Sequence, residues 1–221
     1  MRFFIDDVIF EVSEEELEYR YLDEGTEANI YRFEDEVFKI YKNDRSLKSK
    51  INLDTAKYLK KIKTKRILLP KKLIFDTEGN FCGYTLPYLD NCQKAIIKRK
   101  KMSDIIEELK LIEQDLITLK ENSVDLEDFT LDNFIINTGL YIIDPGSYEI
   151  SSDNKKFIET VNRHKYIEFM VNEVFPLAVR LNKEEKRKLM NYIAGEYITE
   201  IFNHDYEEND TLKKYIKRIV K

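Results

Sequence analysis

The residues of this 221-residue chain whose types and spacing could do chemistry gather in one stretch, residues 125–146, DLEDFTLDNFIINTGLYIIDPG. Two short apolar runs, 134–136 and 140–143, flank Asn137-Thr138-Gly139. Apolar, β-branched residues on both sides of a turn rich in Asn and Gly are the pattern of a tight β-hairpin. If Ile136 pairs with Tyr141, Asn133 lies opposite Asp144 at the open end, and a slip of one residue barely changes that. Asp128 adds a second carboxylate five residues upstream of Asn133. Oxygen ligands held close together suit a hard divalent cation such as Mg²⁺, whose shell is usually completed by phosphates. The competing reading is a surface hairpin that carries Asp and Asn because turns favour them.

The same residues carry a resemblance. Asp128-Phe-Thr-Leu-Asp-Asn133 resembles the kinase catalytic loop D-x-x-x-x-N, and Asp144-Pro145-Gly146 resembles its D-F-G. The chain is thereby similar to the protein-kinase-like fold family, in a small, divergent version of the bacterial serine/threonine type. Small-molecule kinases of the aminoglycoside and choline type share D-x-x-x-x-N and a later metal Asp. The resemblance implies that Asp128 orients the attacking hydroxyl and accepts its proton, and that Asn133 and Asp144 bind Mg²⁺.

Further motifs sit upstream. The segment Glu36–Tyr41, EVFKIY, resembles the kinase V-A-I-K strand. Alternation puts Val37, Lys39 and Tyr41 on one face and Phe38 and Ile40 on the other. A lysine flanked by apolar residues is poorly placed unless its ammonium meets an anion; the resemblance makes that anion the nucleotide phosphates. Residues 23–30, DEGTEANI, stand where the family has a glycine-rich loop and keep only the middle glycine. The resemblance sets Leu22, Gly25, Ala28 and Ile30 against the nucleotide. Leu86-Pro87-Tyr88-Leu89 looks like the hinge, with Leu86 guarding the back pocket and the Pro87 carbonyl and Leu89 N–H facing adenine. The family also pairs its lysine with a helix Glu. No Glu occurs from Val37 to Thr77, so Asp54 is the shorter substitute. Leu126 and Glu127 replace the His and Arg of H-R-D, which implies an enzyme not switched by activation-loop phosphorylation. No A-P-E follows Asp144.

The elements that must position these residues are strands first and helices after. Short runs rich in aromatic and β-branched residues predict strands at 8–12, 19–24, 29–33, 36–41, 71–75 and 81–86. Apolar periodicity predicts a helix over 46–63. Ser103 reads as the N-cap of a helix whose stripe is Ile105, Leu109, Ile112, Leu116 and Leu119. Later helices are expected at 155–175, stopped by Pro176, from Asn182 with its capping-box partner Glu185 to about 202, and at 210–220. The basic run 94–101 reads as a solvated helix end. The expectation is an α+β, bilobal, protein-kinase-like fold. Residues 1–86 form an antiparallel sheet with one helix, 87–91 a hinge, and 92–221 a helical lobe carrying the hairpin.

Composition narrows the classes. At 26.5 kDa the chain is one large domain or two small lobes. No run of about 18 apolar residues predicts a membrane span. The first residues, MRFFIDDVIFEV, are too acidic and strand-like for a signal peptide. Cys82 and Cys92 lack metal-ligand spacing and read as reduced thiols in the cytoplasm. A net charge of −5 argues against a dedicated nucleic-acid binder. The function expected is ATP- and Mg²⁺-dependent phosphoryl transfer to a protein Ser/Thr hydroxyl or a small-molecule hydroxyl. Two alternatives stay open: a pseudokinase that binds nucleotide without turnover, and a purely structural fold.

Overall fold

The computed structural model describes residues 2–25, 27–42, 51–90, 97, 100–126, 129–137, 139–144, 148–193, 196–202, 206–207 and 210–221. Asp128, Pro145, Gly146, Thr138, Asn91, Cys92, residues 46–50 and most of the 94–101 run lie outside them. The chain divides into two compact units: Met1–Lys63 with Leu68–Asp90 and Asp144–Tyr148, and Thr64–Ile67 with Asn91–Ile143 and Glu149–Lys221.

The first unit is built on a seven-stranded antiparallel sheet. In chain order its elements are β1 (Arg2–Ile5), β2 (Val8–Glu11), α1 (Glu14–Arg20), β3 (Tyr21–Glu24), β4 (Ala28–Phe33), β5 (Glu36–Tyr41), α2 (Leu53–Leu59), β6 (Leu73–Phe75) and β7 (Phe81–Pro87). The spatial order is β2-β1-β6-β7-β5-β4-β3. β5 is therefore interior, paired with β4 on one side and β7 on the other. Phe3, Ile5, Val12, Leu17, Phe33, Phe38 and Ile74 form a buried core. Within it Phe33 and Phe38 lie 4.6 Å apart, with Phe10 at 5.0 and 5.4 Å from them. Offset aromatic pairs at such distances add to the stabilisation from burial.

Two expectations change here. Residues 19–20 end a helix rather than open a strand. Ser13 caps that helix by accepting from the Glu16 N–H at 3.0 Å, and Glu14, Glu15 and Glu16 fill the first turn, where negative charge meets the helix dipole. Of the helix expected over 46–63, residues 46–50 lie outside the described residues, and the described helix runs Leu53–Leu59. Asn52 is extended and accepts from the Thr55 N–H at 2.8 Å, and such a cap fixes a start.

The second unit is mostly helical: α3 (Met102–Glu121), β8 (Val124–Leu126), β9 (Phe134–Ile136), β10 (Leu140–Ile142), β11 (Tyr148–Ile150), α4 (Lys155–Phe169), a π-helical turn Met170–Val174, α5 (Phe175–Ala178), α6 (Lys183–Ile193), α7 (Ile198–Phe202) and α8 (Leu212–Ile219). The expected α3 stripe is buried throughout, each residue at 0–1% exposure. At about 1.5–3 kcal/mol per fully buried Leu or Ile, this stripe is a main support of the unit. The helix starts at Met102, and Lys101 stands at the cap position without a side-chain cap, so Ser103 lies inside the first turn. Pro176 does not stop its helix. It sits in the first turn of α5, after the π turn, where its missing N–H costs little. The Asn182–Glu185 capping box is present, with reciprocal bonds of 2.8 and 2.9 Å. The stretch it opens is two helices, α6 and α7, rather than one.

Two buried carboxylates on α3 were not singled out from the sequence. Asp115 accepts from the consecutive N–H groups of Lys65, Arg66 and Ile67 at 2.5–3.0 Å. Burial raises its pKa and those three bonds oppose the rise. Glu113 bonds the Thr199 hydroxyl and, at 3.3 Å, the Thr199 N–H in α7. Burial pushes the Glu113 carboxyl up to about 7, against the lowering effect of the Thr199 and Ile198 donors. The folded state therefore holds the Glu113 proton more tightly than the unfolded chain does. Its contribution to stability is full below about pH 4.5 and is lost as pH rises through about 7. Glu113→Gln should remove this slope and raise stability at pH 8 by up to ~3 kcal/mol, at about 1.4 kcal/mol per unit of pKa. Melts of both proteins at pH 5 and pH 8 check it; parallel pH dependences would refute it.

Candidate functional site

Lys39 lies in the middle of β5 with its side chain 9% exposed. Its cross-strand neighbour on β7 is Tyr84, which is fully buried. The two strands approach closely because residue 83 is glycine. A Cβ there would stand 2.1 Å from the Lys39 carbonyl oxygen, so no larger residue fits this register. Gly83 and Tyr84 drew no attention in the sequence. The available signal was the strand alternation of residues 81–86, which could not say which strand would lie beside Lys39.

The Lys39 ammonium donates to the Asp144 carboxylate, 105 residues along the chain. The Tyr84 hydroxyl donates to the same oxygen, Oδ1, at 3.3 Å. Burial, then the Asp144 charge, raises the Tyr84 pKa well above that of a free phenol, which keeps the hydroxyl protonated and donating. Tyr41 stands beside this group, its ring 6.1 Å from that of Tyr84, and burial and Asp144 raise its pKa too. Asp144 has φ of 68°, the left-handed region that Asn and Asp tolerate better than most residues. Lys39 and Tyr84 from two strands and Asp144 from far along the chain thus converge, with an ammonium and a carboxylate in mutual contact and a third of the carboxylate side chain exposed.

The remaining residues expected in the first unit fall as follows. Asp54 is exposed in the first turn of α2 and makes no ion pair with Lys39, whose partner is Asp144. The Gly25 N–H donates to the Ala28 carbonyl at 3.0 Å, closing a tight turn, and the Lys42 N–H reaches Glu27 across it at 2.9 Å. Gly25 has an ordinary φ, and a Cβ there would meet the Ala28 carbonyl oxygen at 3.5 Å, an ordinary contact, so this turn does not itself demand glycine. Ala28 is buried, Ile30 half-buried and Leu22 exposed. Leu86 is buried opposite Val37, and Pro87 extends β7 opposite Glu36. The next N–H, of Tyr88, donates to Asp35 at 2.8 Å, and Arg32 stacks 3.7 Å from the Tyr88 ring. Leu89 follows, half-buried. Cys82 is a free thiol that burial pushes up to about 12, so it is protonated at neutral pH.

In the second unit the hairpin forms one register step from that expected. Ile136 pairs with Leu140, and the Ile143 N–H donates to the Asn133 carbonyl at 2.8 Å. Asn133 is therefore opposite Ile143, the residue before Asp144. The turn is tightened by the Asn137 side chain, which accepts from the Gly139 N–H at 2.9 Å. The segment before Asp128 is anchored by α4. Asn162, fully buried, accepts from the Leu126 N–H and donates to the Val124 carbonyl, both at 2.9 Å. Lys165 donates to the Leu126 carbonyl at 2.7 Å and to Asp125 at 3.2 Å. Phe129, just past Asp128, stacks on Phe169 at 5.7 Å. Leu126 and Phe129, on either side of position 128, are thus both tied to α4.

No family model matches the chain. Among solved structures, a chain of the CAK complex from Chaetomium thermophilum bound to ATP-gamma-S is similar to this one, with 21% sequence identity and a TM-score of 0.47. The match covers 61% of this chain and 47% of that chain, so this protein spans about half the length of the chain it matches. No helix among the described residues is long and apolar enough to cross a membrane.

Proposed function

We propose that this protein is an ATP- and Mg²⁺-dependent phosphotransferase acting on a hydroxyl, with a protein Ser or Thr as the first acceptor class to test. The observation that carries the reading is the buried Lys39 ammonium joined to Asp144. Removing an ammonium and a carboxylate from water is expensive, and a purely structural pair is often replaceable by apolar residues. Here each partner also has a ligand counterpart of opposite charge: nucleotide phosphates for Lys39 and a cation for Asp144.

The donor set fits Mg²⁺ in a particular way. Among the described residues no group of three or more His, Cys, Asp or Glu side chains could hold a metal by itself. Mg²⁺ is commonly bound through one or two carboxylates plus substrate phosphates rather than in a protein cage. Asp144 and Asn133 would be its protein ligands. A Mg²⁺ ion held there would supply positive charge to offset the negative charge that develops during transfer. Lys39 holds and orients the phosphates. Tyr84, protonated, fixes the Asp144 carboxylate. Asp128 orients the acceptor hydroxyl and takes its proton, and Asn162 and Lys165 hold the strand that delivers it. Leu22, Gly25, Ala28, Ile30, Leu86, Pro87 and Leu89 are assigned to the nucleotide, and Asp54 is assigned no contact with Lys39.

The test is incubation of the wild type with γ-labelled ATP and a panel of protein and small-molecule hydroxyl acceptors, with Mg²⁺ or with EDTA. Label transferred only with Mg²⁺ is the expected result. Saturable nucleotide binding with no transfer and no hydrolysis would make the chain a nucleotide-binding module instead.

A further inference from the structure

The first unit contains a second feature, on the sheet face opposite Lys39. A cavity of about 480 Å³ lies among β1, β2, α1 and the β4–β5 turn. Phe38 lines it, and strand alternation sends Phe38 and Lys39 to opposite faces. Its apolar part is the Phe10, Phe33 and Phe38 cluster, and Val8 and Ile9 of the edge strand β2, 67% and 51% exposed, open it to solvent. A cavity with an aromatic floor and exposed aliphatic residues at its mouth is built to take an apolar group.

The charge around it is one-sided. The first 36 residues carry thirteen Asp and Glu against three Arg, a net of −10, while the whole chain carries −5. Glu16, Glu34 and Asp35 line the cavity, and Glu14, Glu15 and Glu18 are exposed along α1. Some of the acidic wall is neutralised internally: Glu36 by Lys71 and Lys72 at 2.7 and 2.9 Å, Glu11 by Arg2 at 3.1 Å, and Glu16 in part by Arg20 at 3.6 Å. Glu34, Asp35 and the part of Glu16 that Arg20 does not offset still leave a negative rim beside an apolar hole.

We infer that this face docks a basic segment of a partner protein, placing one large apolar side chain in the cavity and Lys or Arg residues against the rim. The apolar anchor supplies affinity from a desolvated pocket. The rim supplies steering and selection against acidic segments.

The probe is a fluorescein-labelled nine-residue peptide, Leu-Phe-Leu flanked on each side by three Lys or Arg, titrated with the full chain and followed by anisotropy. Binding should saturate and weaken as salt rises from 50 to 300 mM. The Val8→Ser/Ile9→Ser variant, altered only at exposed positions, should bind at least tenfold more weakly at an unchanged melting temperature. The Glu16→Gln/Glu34→Gln/Asp35→Asn variant should bind at least tenfold more weakly and lose most of its salt dependence. A peptide with Ala-Ala-Ala at its centre, or with Glu flanks, should not bind. No saturation by 1 mM peptide, or equal affinity in both variants and the wild type, would overturn the proposal. So would a concentration-dependent dimer that Val8→Ser/Ile9→Ser abolishes, since that assigns the face to a second copy.

Discussion

Asp144→Asn is expected to abolish Mg²⁺-dependent nucleotide binding while leaving the protein folded. Asn is the substitution that isolates the charge, because it keeps the size and tolerates the left-handed backbone at φ 68°. It can still accept from the Lys39 ammonium and the Tyr84 hydroxyl, which both donate to Oδ1 in the wild type. What it lacks is the negative charge that a cation needs and that balances a buried ammonium. The stability cost should be about 1–3 kcal/mol, below that of removing a partner from a fully buried pair, because Asp144 is about a third exposed. Lys39→Met should behave differently. It leaves a carboxylate that water can reach and that still accepts from the Tyr84 hydroxyl, and it fills an apolar surround with an apolar chain, so the cost should stay under ~1 kcal/mol. Both variants should lose stabilisation by Mg²⁺·ATP. Paired melts with and without 1–5 mM Mg²⁺·ATP read all of this. An Asp144→Asn protein stabilised by Mg²⁺·ATP as the wild type is would remove Asp144 from the site.

Asp128→Asn should separate binding from rate. If Asp128 takes the acceptor proton, as proposed, it acts mainly in the transition state. Nucleotide affinity should be almost unchanged while turnover falls by roughly 10²–10⁴-fold, the usual range for losing a general base. The strand before it is held by Asn162 and Lys165 through the backbone of Val124 and Leu126. The melting temperature should therefore hold. A merely structural Asp128 would give the opposite pattern, with unchanged turnover and a loss of about 1 kcal/mol or more of stability. Single-turnover transfer alongside a nucleotide titration distinguishes the two. Asn162→Ala, in contrast, orphans a buried N–H and a buried carbonyl and should lower stability and turnover together.

The strand bearing Lys39, the hairpin and the α3 stripe were readable from local pattern, because each depends on an alternation or a period that the residues spell out. Three things were not readable, for separate physical reasons. The α1 sequence EEELEYR buries only Leu17, so it shows no apolar period, and the Tyr-rich run after it reads as strand. The acidic partner of Lys39 was sought nearby on a helix, where Asp54 was the sole choice. The structure instead supplies Asp144 from across the chain, a long-range pairing that no local spacing encodes. Buried polar residues such as Tyr84, Glu113, Asp115 and Asn162 look like solvated positions until their partners are known. The one-residue change in hairpin register has a similar origin: the turn Asn137-Thr138-Gly139 suits more than one loop length, and the Asn137 side chain settles on the three-residue form.

The most direct measurement is a calorimetric titration of ATP into the wild type and Asp144→Asn, each with Mg²⁺ and with EDTA. The predicted result is one saturable site in the wild type with Mg²⁺, greatly weakened by EDTA and absent from the variant. At a hundredfold excess over Kd, such binding raises wild-type stability by about 2.7 kcal/mol. No binding at millimolar Mg²⁺·ATP, or equal binding by wild type and Asp144→Asn, would contradict the assignment of Lys39 and Asp144 to a nucleotide site.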